Sequence, residues 1–158
     1  MPIKRILVVF GTRPEAVKMA PVVRELKRRG DEVETVVCTT GQHRQMLDQI
    51  TAAFRIGIDV DLDLMRPDQT LADLTAESVR RMDEVLLRVQ PDAVLVQGDT
   101  TTAMAAGLAS FYRKVPVGHV EAGLRTGDRY RPFPEEINRR IISTVATWNF
   151  VPTVTAAR

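Results

Sequence analysis

Polar residues with chemical potential gather in this chain directly behind its apolar runs. Residues 6–10 are followed by Gly11-Thr12-Arg13-Pro14-Glu15 with Lys18 one turn further on, and residues 33–39 by Thr40-Gly41-Gln42-His43. Residues 93–97 lead into Gly98-Asp99-Thr100-Thr101-Thr102, and His119 and Glu121 lie at the end of the run 115–122. A long stretch, 123–134, carries Arg125, Asp128, Arg129 and Arg131 and leads into Glu135, Glu136 and Arg139. Cations such as Arg13 and Lys18 beside several carboxylates suit an anionic substrate on which protons are also moved.

Ordinary explanations stand beside each of these. Asp99 or one of the threonines after it could cap the next helix. Glu135 and Arg139 have the i, i+4 spacing of a routine helix-surface ion pair. His43 fits a surface residue near a helix start, and His119, on an apolar strand, fits a hydrogen-bonded core histidine. Glu121 resists such a reading best, because a carboxylate at the end of a buried strand is costly unless it is hydrogen-bonded or used.

The positioning elements follow from periodicity. Strand-length apolar runs at 6–10, 33–39, 93–97 and 115–122 alternate with helical stretches, the pattern of βαβ units and a parallel sheet. Between Thr70 and Gln90 the residues Leu71, Leu74, Met82, Val85, Leu86 and Val89 fall mostly on one helical face, with Thr70 as N-cap and Pro91 as stop. A helix over 14–29 opens on Pro14 and ends at Gly30, with a kink or split expected at Pro21. Further helices are expected over 44–54, 101–112 and 135–146, and a short last strand over 148–151. Thr153 then reads as the N-cap of a helix that begins and is not finished, so the chain is expected to be truncated. In an open parallel sheet the polar clusters all fall at the carboxyl ends of strands, where ligands bind.

Composition narrows the function classes. With 158 residues, 44% of them hydrophobic and 27% charged, the chain is expected to form one globular domain over 1–158. The 22 basic residues are scattered against a net charge of only +2, and aromatics are 5%, which speaks against nucleic acid as a partner. No run is long enough for a signal core or membrane span. The single cysteine, Cys38, sits in the apolar Val36-Val37-Cys38 and reads as a buried thiol in a reducing, cytoplasmic setting. The first strand is not followed by G-x-G-x-x-G, and residues 11–18 lack the second glycine and Lys-Ser/Thr pair of a P-loop, so neither NAD nor ATP is indicated. No Cys/His cluster has metal spacing, and no cofactor is expected.

Five motifs carry a resemblance: the stretch 11–21, GTRPEAVKMAP; 42–48, QHRQMLD; 98–102, GDTTT; 119–126, HVEAGLRT; and 134–139, PEEINR. Together they resemble the non-hydrolysing UDP-N-acetylglucosamine 2-epimerases across essentially the whole chain. The stretch 119–123 favours that branch over the hydrolysing one. The resemblance implies a Rossmann-like three-layer sandwich, the N-terminal half of a glycosyltransferase-B type two-domain enzyme whose C-terminal domain holds most of the UDP. It implies interconversion of UDP-GlcNAc and UDP-ManNAc through 2-acetamidoglucal, without metal or redox cofactor, by a protein that is a homodimer at full length. Asp99, Glu121 and Glu135 are the implied proton-transfer set; Arg13, Lys18, Arg139, His43 and His119 are implied substrate contacts. Gln42, Gln45 and Glu135 match positions at which relatives bind a second UDP-GlcNAc as activator. Pro67-Asp68 follows Arg66 where the pattern implies a further basic contact, a departure from the family. Rival readings are a transferase domain of the same fold and a non-catalytic binding module.

Overall fold

The computed structural model describes residues 3–41 and 44–157, and within these the side chains at all positions except 44–48. The element order is β1 (Lys4–Phe10), α1 (Arg13–Arg28), β2 (Val33–Thr39), α2 (Arg44–Phe54), β3 (Val60–Asp61), α3 (Leu71–Val89), β4 (Ala93–Gln97), α4 (Thr101–Tyr112), β5 (Val117–Val120), α5 (Glu135–Val145) and β6 (Trp148–Phe150). A 3₁₀ turn, Thr155–Ala157, follows. The strands form one six-stranded sheet in the order β3-β2-β1-β4-β5-β6, and every pairing is parallel.

The expected three-layer sandwich is what these residues build. Side chains alternate across a strand, and β1 uses both faces. Leu7 and Val9 pack with Leu74, Met82, Val85, Val94, Ala106 and Ile142 in the layer of α3, α4 and α5. Val8 and Phe10 pack with Ala16, Met19, Ala20, Val23 and Ile56 in the layer of α1 and α2. A strand buried on both faces has no polar alternation to show, which is why the first run reads as uninterrupted hydrophobic sequence.

Capping residues place the helix starts. Thr12 accepts from the Glu15 backbone N–H (3.4 Å) while Glu15 Oε2 accepts from the Thr12 N–H (2.7 Å), a reciprocal capping box that opens α1. Thr70 and Asp73 do the same for α3 (3.1 and 3.3 Å), which ends at Gln90 in the left-handed region (φ 50°) just before Pro91.

Several expectations are corrected. Helix α1 starts at Arg13, with Pro14 its second residue, and runs unbroken through Pro21; burial of Met19, Ala20 and Val23 on its inner face offsets the missing N–H. Leu71 is not part of the buried α3 face but 44% exposed. The run 115–122 yields only Val117–Val120 as strand, because Glu121 turns into the left-handed region with φ 65°. The last strand stops at Phe150, and Thr153 caps the 3₁₀ turn by accepting from the Ala156 N–H (3.2 Å). The two-residue strand β3 was not foreseen.

Candidate active site

Strand order reverses between β1 and β4, which lie side by side while their helices go to opposite faces. A crevice must open at the carboxyl ends of these two strands. A cleft of about 420 Å³ occupies that position. The β1–α1 junction supplies Thr12, Pro14, Glu15 and Lys18; the end of β4 supplies Gln97, Gly98, Asp99 and Thr100; Glu121 and Leu124 follow β5, and Glu135 and Arg139 come from α5.

Two carboxylates meet cations here. Lys18 Nζ lies 2.5 Å from Glu121 Oε2, and Arg139 Nη2 lies 2.8 Å from Asp99 Oδ2. Arg139 also approaches Glu136 (3.6 Å), and its Nε is buried without a hydrogen-bond partner among the described residues. Glu135 makes no ion pair among the described residues, so the i, i+4 pair with Arg139 does not form. Burial pushes the Asp99 carboxyl above the ordinary aspartate value; the Arg139 guanidinium opposes this, Glu135 and Glu121 reinforce it, and Lys18 opposes it.

The helix cap falls to Thr100, whose Oγ1 accepts from the Ala103 N–H (3.0 Å). Asp99 therefore keeps its carboxylate for the cleft. Its backbone is held from α5, where Asn138 Nδ2 donates to the Asp99 carbonyl (2.9 Å). Gly98, with φ 73°, makes the turn that precedes it, and His119 fixes that turn from behind. His119 Nε2 donates to the Gly98 carbonyl (2.7 Å), which puts the ring proton on Nε2 and leaves Nδ1 to accept from Ser143 Oγ (3.3 Å). Burial lowers the imidazole pKa, Arg125 adding to this while Gly98, Asn149 and Asp99 oppose it.

Of the residues singled out from sequence, Asp99, Glu121, Glu135, Lys18 and Arg139 line this one cleft. His119 does not: it is fully buried behind the rim, where it bonds the Gly98 turn. Arg13 is exposed at the first position of α1, outside the cleft lining. Gln42 and His43 lie outside the described residues, as does the Gln45 side chain. The stretch 123–134 contributes only Leu124 to the cleft. It is tied to α5 by the buried Glu136, which accepts from the Thr126 N–H (3.2 Å) and from Arg140 (2.6 Å).

Glu15, named from sequence only as part of the stretch 11–15, and Gln97, the last residue of an apolar run, were given no role there. Glu15 is 3% exposed; it accepts from the Gly11 and Thr12 N–H groups (2.7 Å each) and from Thr100 Oγ1 (2.7 Å), joining the loop after β1 to the loop after β4. Burial raises its pKa, and the hydrogen bonds from Thr100, Gly11 and Thr12 pull the other way. Its signal was the Thr12-x-x-Glu15 capping pattern. Gln97 ends β4 and donates through Nε2 to Glu121 Oε2; a polar residue closing an otherwise apolar strand was the available sign. Cys38 is buried, its thiol pushed up to about 12 by burial and by Asp61, against the opposing effect of Arg88. Among the described residues no helix is long and apolar enough to cross a membrane.

Known proteins resemble this chain in sequence and fold. The family model described as UDP-N-acetylglucosamine 2-epimerase matches residues 24–158. The chain is 54% identical over 149 residues to the UDP-N-acetylglucosamine 2-epimerase of Bacillus subtilis, covering 94% of this chain and 39% of that protein. The crystal structure of UDP-GlcNAc 2-epimerase from Neisseria meningitidis bound to UDP-GlcNAc superimposes with a TM-score of 0.93 and 51% identity, over 96% of this chain and 41% of that one. MurG of Acinetobacter baumannii, 17% identical with a TM-score of 0.63 over 94% of this chain and 40% of its own, shares the fold alone. The chain thus spans about two fifths of the length of the relatives it matches. On the motifs, the fold and this extended similarity, the chain belongs to the UDP-N-acetylglucosamine 2-epimerase family.

Proposed function

We propose that this chain forms the sugar-side wall of a non-hydrolysing epimerase that interconverts UDP-GlcNAc and UDP-ManNAc, with a second domain of the same protein holding most of the UDP. The observation that carries the reading is the convergence of Asp99, Glu121 and Glu135 on one cleft, with Lys18 paired to Glu121 and Arg139 to Asp99. Inverting C2 requires a proton to leave one face of the sugar and return on the other, so one acid/base group is insufficient. In the forward direction the C2 proton passes to a carboxylate while the C1–O bond breaks, its electron pair leaving with UDP. The resulting 2-acetamidoglucal then takes UDP back at C1 and a proton at C2 on the opposite face.

The raised pKa of Asp99 suits a residue that must carry a proton for part of the cycle. Lys18 and Arg139 offset negative charge on the departing pyrophosphate, and Arg13 adds its positive charge to theirs from outside the cleft lining. The working protein is proposed to be a cytoplasmic homodimer. The test is to incubate the full-length protein with UDP-GlcNAc and follow UDP-ManNAc and 2-acetamidoglucal by NMR. Formation of UDP-ManNAc with transient glycal is expected; UDP-GlcNAc left unchanged, or transfer of its sugar to an acceptor, would overturn the proposal.

A further inference from the structure

Strand β4 runs through the fully buried Val94 and Val96 and then closes on a polar side chain, Gln97, itself only 2% exposed. A buried amide brings two N–H donors and a carbonyl acceptor that need partners. The parallel register sets Gln97 beside Val120, so the following residue, Glu121, comes within its reach, and Nε2 donates to Glu121 Oε2. Lys18 Nζ reaches the same oxygen from α1. Two donors from separate elements thus converge on Oε2, and no hydrogen bond or ion pair among the described residues uses Oε1.

The two donors differ in what they can hold. An ammonium is held chiefly by the carboxylate's charge and loses that hold when the carboxyl is neutral; the Lys18 side chain is also 48% exposed, which screens the contact. An amide carries donor and acceptor on one planar group. A neutral amide N–H donates to Oε2 whether Glu121 is a carboxylate or a carboxylic acid protonated on Oε1, because Oε2 keeps its lone pairs in both states. A carboxyl that shuttles a proton passes through both states in each turnover.

We infer that Gln97 is a positioning residue for the epimerisation proposed above. It holds the Glu121 carboxyl in one place through both protonation states and leaves Oε1 as the oxygen that takes and returns the proton. The inference rests on the epimerase reading and adds to it a residue that acts only through Glu121.

The experiment compares wild type, Gln97→Leu and Gln97→His in the full-length protein. Leucine removes donor and acceptor at similar bulk, whereas a neutral imidazole restores one of each. A carboxyl misplaced by about an ångström loses on the order of a hundredfold in rate. Gln97→Leu is therefore expected to lower kcat at least about tenfold with KM for UDP-GlcNAc little changed, and Gln97→His to recover most of the loss. Should the leucine variant fail to fold, Gln97→Met removes the same hydrogen bonds in an unbranched side chain. A kcat within twofold of wild type in the leucine or methionine variant, or an equal loss in leucine and histidine variants that both melt like wild type, would overturn the inference. A crystal structure of the leucine variant adds a readout independent of turnover. Glu121 is expected to leave its wild-type rotamer, and an unmoved carboxyl contradicts the inference. A wild-type protein that makes no UDP-ManNAc defeats the epimerase reading instead, and is recognised as such before any variant is compared.

Discussion

Lys18 Nζ and Glu121 Oε2, 103 residues apart in sequence, lie 2.5 Å from each other across the cleft. The contact joins the helix after β1 to the turn after β5, with β4 between the two strands. Glu121 occupies a left-handed conformation, φ 65°, which costs a side-chain-bearing residue about 1–2 kcal/mol. Strain of this kind at a charged residue lining a cleft accords with a functional role.

Replacing Glu121 with Gln in the full-length protein is expected to lower kcat for epimerisation by about a hundredfold or more, the usual scale for a general acid or base. The fold should survive, since the backbone turn and the β5 pairing do not depend on the charge. Turnover by NMR and a thermal melt check both parts; near-normal turnover would make Glu121 structural.

Glu15 should separate two kinds of loss. In Glu15→Ala the donors at Gly11, Thr12 and Thr100 all lose their acceptor. At about 1 kcal/mol each this is roughly 3 kcal/mol, or a fall in melting temperature of about 6–12 °C. Glu15→Gln keeps an acceptor oxygen for the two amides, and its amide N–H can face a rotated Thr100 hydroxyl. Because the folded-state pKa of Glu15 is raised, the wild-type side chain favours the fold most at pH below its unfolded value, and that contribution is lost as pH rises through the folded value. Glu15→Gln should therefore be at least as stable as wild type at pH 7 and lose that advantage toward pH 4. Melts across this range decide it.

His119 gives the opposite sign. Its folded-state pKa is depressed by burial, so its stabilising contribution is complete above about pH 6.5, the ordinary histidine value. It is lost as pH falls from there toward the folded value, since the unfolded chain takes the proton first. The melting temperature of wild type should drop more between pH 7 and pH 5 than that of His119→Gln, whose amide can still donate to the Gly98 carbonyl. Equal slopes would show the imidazole to be protonated in the fold.

The 158-residue chain on its own should melt cooperatively, since both faces of its sheet are covered by its own helices. It should not turn over UDP-GlcNAc, because catalysis of this kind draws on remote binding energy and on exclusion of water from a hydrolysable glycal. Calorimetry and NMR on the purified chain check both. Turnover within about a hundredfold of a typical ten per second would make it a self-sufficient catalyst.

Local pattern carried most of the fold. The strands at 33–39 and 93–97 and the helices at 44–54 and 101–112 are found where apolar runs and helical periodicity put them, because burial on a parallel sheet selects for those patterns residue by residue. Thr70 and Pro91 marked the ends of α3 for the same local reason. The short strand β3 carried no such mark: two residues have no period, and Val60–Asp61 is a strand only because β2 lies beside it. The polar residues behind the strands were likewise visible, and the family motifs named most of the carboxylates and cations that line the cleft. Their partners were not. That Thr100 caps α4 and leaves Asp99 free, that Arg139 turns to Asp99 and not to Glu135, that His119 is buried behind Gly98, and that Gln97 and Lys18 meet on one oxygen of Glu121 all depend on strand order and register. Those are set by packing between segments far apart in the chain, and spacing along the sequence carries no record of which distant group fills a given hydrogen bond.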